Sequence, residues 1–86
     1  MSLKNLLTAA TVTAEMIERR DRCKELYGSD YALKIKLAQD IVKSVAAQHK
    51  LSILEAALKI CKTAVEDGHG SAVNMVIAAA VDLIGE

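Results

Sequence analysis

An all-α fold follows from three observations. The 86-residue chain contains no proline and only Gly28, Gly68, Gly70 and Gly85 as backbone breakers, so its punctuation leaves a few long segments. Apolar residues recur within those segments at close to the 3.6-residue helical spacing. Ser52-Ile53-Leu54-Glu55 has the serine-to-glutamate spacing of a capping box, which marks a helix start. The expected architecture is a compact bundle of about four helices joined by short turns, with the C-terminal helix most buried. A chain of this length has room for one core, so residues 1-86 are expected to form a single helical domain.

The first helix is expected from about Leu3 to Tyr27, where Leu3, Leu7, Ala10, Ala14 and Ile17 lead into Cys23, Leu26 and Tyr27. Gly28 is its natural left-handed stop. Glu15 precedes Arg19 by four residues and Glu18 precedes Arg22 by four, an order that supports an exposed helical face.

Ser29 or Asp30 is placed to cap the second helix, whose apolar stripe reads Tyr31, Ile35, Ala38, Val42, Val45 and His49. The segment from Tyr31 to Leu37 also alternates with a period of two, as a half-buried strand does. Helical spacing continues unbroken from Ala38 to Ala47, and a lone strand would leave its backbone groups without partners. The helix is therefore the expected state. The capping box fixes the start of the third helix, with Leu51 and Ala56 as its hydrophobic staple. That helix runs through Val65, with Ile53, Ala57, Ile60 and Ala64 on one row and Leu54, Leu58, Cys61 and Val65 on the next. Ser71 is the expected cap of the fourth helix, Ala72 to Ile84, which is apolar nearly all round and so must be covered on most sides.

Composition narrows the function. Lys plus Arg and Asp plus Glu both number 11, so the basicity of a dedicated phosphate-backbone binder is missing. Tyr27 and Tyr31 are the only aromatics, which argues against base-stacking platforms. Cys23 and Cys61 stand 38 positions apart with no CxxC, the pattern of neither a disulfide scaffold nor a zinc module. Reduced thiols packed as small hydrophobes are expected, a Cys23–Cys61 disulfide being the less favoured alternative. The N-terminus shows no apolar signal segment, so a cytoplasmic protein is expected. Ala72 to Ile84 is too short to span a bilayer, and no membrane association is expected.

No residues assemble into an obvious reaction centre. His49 closes a helix, where a cap or surface role accounts for it, and His69 lies in a glycine-flanked turn. The histidines, cysteines and Asp67 lack metal-ligand spacing. Gly68-His69-Gly70-Ser71 precedes a helix, yet it has neither the third glycine nor the lysine of nucleotide-binding loops. The chain is thus read as no enzyme, with no catalytic residue, cofactor or metal.

Two binding surfaces stand out. Arg19, Arg20, Arg22 and Lys24 concentrate positive charge in under two turns and form the expected protein contact, since arginine-rich helix faces suit acidic partners. The segment from Val42 to Lys62 resembles a helix-turn-helix, with Ala46 and Ala56 in its two helices, Lys50 near the family's glycine position and Leu51 after it. That resemblance implies a DNA-binding face of Ser52, Glu55, Lys59 and Lys62. Lys59 departs from the pattern by falling at an inward apolar position, and the face offers no arginine, asparagine or glutamine for bidentate base reading.

The favoured expectation is a non-enzymatic interaction module acting through a helical surface: a small adaptor, regulator or inhibitor, of a kind also found among accessory proteins of phages and mobile elements. A helix-turn-helix transcriptional regulator is the alternative. Fourteen alanines and many aliphatic residues leave helix four and the second rows of helices two and three in need of cover, by intrachain packing or by a partner, and a homodimer is the expected assembly.

Overall fold

The computed structural model describes residues 7–85, and among them the fold is all-α, with no strand. Helices α1 (Ala14–Tyr27), α2 (Tyr31–His49), α3 (Ile53–Glu66) and α4 (Val73–Gly85) follow one another, with 3-10 turns at Gly28–Asp30 and Gly70–Ala72.

Helix α1 starts later than its periodicity predicts. Leu3 lies outside the described residues, but the chain from Ala9 to Thr13 is not helical. Thr13 is instead an extended N-cap whose hydroxyl accepts from the Met16 N–H at 3.3 Å. Thr8, Thr11, Val12 and Thr13 crowd this stretch with β-branched side chains, which lose rotamer freedom in a helix, and a threonine hydroxyl competes for backbone N–H groups. At the other end Gly28 does terminate α1, with φ 54° and ψ −123°. Its φ is positive as expected, but this combination falls outside the left-handed helical basin and is one that glycine tolerates without steric cost.

Neither predicted serine or aspartate cap forms at two of the remaining starts. Ser29 and Asp30 lie in the 3-10 turn, and Asp30 already has helical dihedrals, φ −82° and ψ −10°, with no side-chain cap bond. An N-cap needs an extended backbone to fold its side chain back, so Asp30 is in the wrong conformation. Ser71 is likewise inside the Gly70–Ala72 turn that leads into α4. The capping box is different: Glu55 N–H donates to Ser52 Oγ at 3.1 Å, and Ser52 N–H donates to Glu55 Oε1 at 2.9 Å. These bonds hold the Glu55 carboxyl below its ordinary range. Between α2 and α3, Lys50 takes the left-handed conformation, φ 54° and ψ 47°, and Leu51 N–H returns to Ala46 O at 2.9 Å.

Helix α4 lies against all three other helices. Seven of its thirteen residues are buried, Val73, Val76, Ile77, Ala78, Ala79, Ala80 and Val81. Ala56 and Ala57 of α3 are also fully shielded, and alanine at such contacts lets helix axes approach closely. Met16, Ile77, Val42 and Cys61 fill the spaces the alanines leave. The apolar last helix is therefore largely sheltered by its own chain, with Ile84 near its end left exposed.

On α2 the buried stripe is Tyr31, Ile35, Ala38, Val42 and Ala46. Val45 is half-buried and His49 exposed, so the stripe leaves the predicted course after Val42. On α3 the Leu54, Leu58, Cys61 row faces the core, while Ile53, Ile60 and Ala64 are only half-buried.

Candidate functional site

Two surfaces compete for a functional role, and the structure treats them oppositely. The first is the basic run of α1. Arg19 Nη1 donates to Asn74 Oδ1 at 2.7 Å, and Arg19 Nη2 lies 3.6 Å from Glu15 Oε1. Arg20 Nη1 donates to Asp82 Oδ1 at 2.9 Å and its Nε to Asp21 Oδ1 at 2.8 Å. The Tyr31 hydroxyl donates to the other Asp82 oxygen at 2.6 Å. Asn74 and Asp82 are about 12 Å apart along α4, so consecutive arginines of α1 fasten the two helices at two levels.

The electrostatics match this structural use. Hydrogen bonding to Asp82, then to Asp21, raises the Arg20 pKa. Burial, then the bond to Asp82, pushes the Tyr31 phenol well above its ordinary range. Arg22 and Lys24 remain exposed, with the Lys24 ammonium 5.7 Å from the centre of the Tyr31 ring. The four basic residues expected to form one contact patch are thus divided: Arg19 and Arg20 turn to α4, while Arg22 and Lys24 face solvent.

The predicted DNA-facing residues are divided too. Ser52 and Glu55 bind each other's backbone in the capping box, which places a carboxylate at the helix start where a phosphate would otherwise bind. Lys59 and Lys62 are exposed. Lys59 borders a groove with Val45, His49, Ile60, Thr63, Ala64 and Asp67, about 320 Å³ in volume.

Both cysteines are free and buried. Burial pushes the Cys61 thiol up to about 12, and its Sγ lies 3.9 Å from the Val73 carbonyl. Such a thiol packs as a small hydrophobe. Among the described residues, no three His, Cys, Asp or Glu side chains converge as a metal site, and no helix is long and apolar enough to cross a membrane.

The second surface is the second row of helix two, expected to need cover but not resolved into residues by the spacing. Leu33, Leu37 and Ile41 stand on α2 with 72%, 65% and 56% of their surface exposed. They follow one another at four-residue steps, hence as neighbours over successive turns. Helix α2 packs its opposite face on the core, so among the described residues these three form an aliphatic row that is left mostly uncovered. Lys34, Lys36 and Asp40, all exposed, edge it, each three positions from a leucine of the row.

The signal for this row was the period-two alternation of Tyr31 to Leu37. In a helix, residues two apart point roughly 200° apart. Alternating apolar residues therefore describe a helix with apolar side chains on both faces: Tyr31 and Ile35 inward, Leu33 and Leu37 outward.

No protein-family model matches this chain. Neither the curated proteins nor the solved structures supply a match.

Proposed function

We propose that this protein is a non-enzymatic interaction module, a small adaptor, regulator or inhibitor, that docks another protein on the outer face of α2. The observation that carries this reading is the exposure of Leu33, Leu37 and Ile41 in one continuous row. Burying an aliphatic side chain of this size stabilises by about 1.5–3 kcal/mol. Three of them left mostly in water on one helix represent binding free energy that the isolated fold does not use. An apolar row edged by charged side chains has the layout of an interface, with a dry centre and a polar rim.

The basic residues of α1 take a smaller part in this reading. Arg22 and Lys24 are available to steer an acidic partner, whereas Arg19 and Arg20 serve the fold. Charge reversal separates the two surfaces: Leu37→Glu abolishes binding of a reconstituted partner, while Arg22→Glu with Lys24→Glu slows its association and leaves the complex able to form. Loss of binding in the second variant and full binding in the first would overturn the assignment to α2.

A further inference from the structure

Resting on that reading, we propose that in the free protein the α2 row is covered by the same row of a second copy, the two helices lying antiparallel about a two-fold axis beside Leu37. The row has the symmetry such a pair needs. Leu33 and Ile41 stand four positions either side of Leu37, and all three are mostly exposed. Together they cover about 12 Å of the helix axis and about 80° of its circumference. Turned end for end on a second copy, Leu37 meets Leu37, and Leu33 of each chain meets Ile41 of the other. A surface that matches itself in this way closes into a two-fold pair, the commonest assembly of identical chains.

Charge fixes the direction. Lys36 and Asp40 lie on one flank of the row, about 100° and 60° around the helix from Leu37, and Lys34 lies about 60° away on the other flank. In an antiparallel two-fold pair the same flank of each copy faces the other. Asp40 of one copy then stands within about 3 Å of the height of Lys36 of the other, a gap the flexible lysine stem bridges, and symmetry makes the contact twice. Parallel packing sets opposite flanks together and brings Lys34 beside Lys36 of the other copy, a like-charge contact that opposes association. Lys36 and Asp40 are exposed, and among the described residues neither takes part in an ion pair. The Lys34 ammonium is engaged elsewhere, 5.1 Å from the centre of the Tyr27 ring. The chain as a whole has no net charge, so no overall repulsion holds two copies apart.

Pairing through one helix per copy lies at the small end of specific interfaces. The pair is therefore weak: monomeric at the micromolar concentrations of an unfolding assay and dimeric as concentration approaches millimolar. A different protein docking on α2 draws on the monomer, so self-pairing regulates access to the same face.

The test applies sedimentation equilibrium to the full chain, with amide chemical shifts followed over the same concentration series. The expected result is a reversible dimer whose concentration-dependent shifts centre on Leu33 to Ile41, and which Leu37→Gln dissolves while the amide spectrum stays folded. Lys36→Glu and Asp40→Lys are each expected to weaken self-pairing at least about fivefold, because each turns two attractions into two repulsions. Mixed in equal amounts, these two variants regain both contacts between unlike chains and pair to within about twofold of the parent. An ion pair inside a single helix cannot produce that recovery. Lys43→Glu makes the same change in net charge as Lys36→Glu but lies outside the contact, and self-pairing is expected to persist in it. A chain that stays monomeric to millimolar concentration, or a dimer that survives Leu37→Gln with its shifts elsewhere, overturns the pair and leaves docking of another protein on α2 standing. That reading fails separately, when a reconstituted partner binds Leu37→Glu as tightly as the parent. A dimer that Leu37→Gln dissolves but that mixing the charge variants does not restore overturns the antiparallel register.

Discussion

Helices α1 and α2 present their conspicuous residues in opposite ways. The charged run of α1 looks like a solvated face, yet Arg19 and Arg20 turn inward to Asn74 and Asp82 and fasten α1 to α4. The leucines of α2 belong by type in a core, yet Leu33 and Leu37 stand mostly in water. What decides each case is the available partner. Asn74 and Asp82 interrupt an otherwise apolar helix and need donors, so the arginines are used there. The core needs one face of α2, and Tyr31, Ile35, Ala38, Val42 and Ala46 fill it.

The largest effect should come from breaking the α1/α4 seam. Asp82→Ala removes the acceptor of both Arg20 and Tyr31; hydrogen bonds to charged groups are worth about 1.5–3 kcal/mol each. Urea unfolding is expected to show a loss of roughly 2–4 kcal/mol, below a simple sum because both groups regain water. A loss under about 0.5 kcal/mol would place the seam among inconsequential surface pairs.

A local lock should matter less. Ser52→Ala is expected to cost about 1 kcal/mol in the same assay. The companion Glu55 carboxyl titrates lower in the folded chain, so its contribution is present above the unfolded carboxylate pKa. It is lost as pH falls through the lower folded value. Acid titration of Glu55→Gln should accordingly show a shallower stability loss across that interval than the parent chain.

Relief of backbone strain should have a smaller effect, of opposite sign. Lys50 holds a left-handed conformation that costs a residue with a Cβ about 1–2 kcal/mol, partly offset by the greater unfolded-state freedom of glycine. Lys50→Gly should therefore stabilise by roughly 0.5–1 kcal/mol, read as a rise in the urea midpoint at unchanged slope.

The smallest effect on folding is expected at the α2 row. Leu37→Gln keeps helix propensity and removes no buried contact, so its unfolding free energy should stay within about 0.5 kcal/mol of the parent. A residue so conspicuous in the sequence should thus matter far less to folding than Asp82.

What was legible in the sequence was local. The Ser52–Glu55 box and the Gly28 stop rest on residues no more than four apart, whose hydrogen bonds form within one turn. The start of α1 was misread because alanine periodicity before Ala14 was weighed above the threonines that compete with it. The caps at Asp30 and Ser71 were misread because 3-10 turns came first. The polar seam was beyond reach for a different reason: Arg19 meets a residue 55 positions away and Arg20 one 62 positions away. The α2 row is visible twice in the sequence, as a second apolar row in need of cover and as the Tyr31–Leu37 alternation, but its residues emerge only when that alternation is read as a two-faced helix.

The central claim is that the α2 row serves docking and leaves the fold to other residues. It is tested most directly by titrating a synthetic amphipathic helical peptide, with Leu and Ile at four-residue steps, into the parent chain and into the Leu33→Gln, Leu37→Gln, Ile41→Gln variant, following amide shifts in both. The account predicts a well-dispersed, folded spectrum for each chain and saturable shifts along α2 in the parent alone. Equal binding by the variant, or its collapse into an unfolded spectrum, would contradict it.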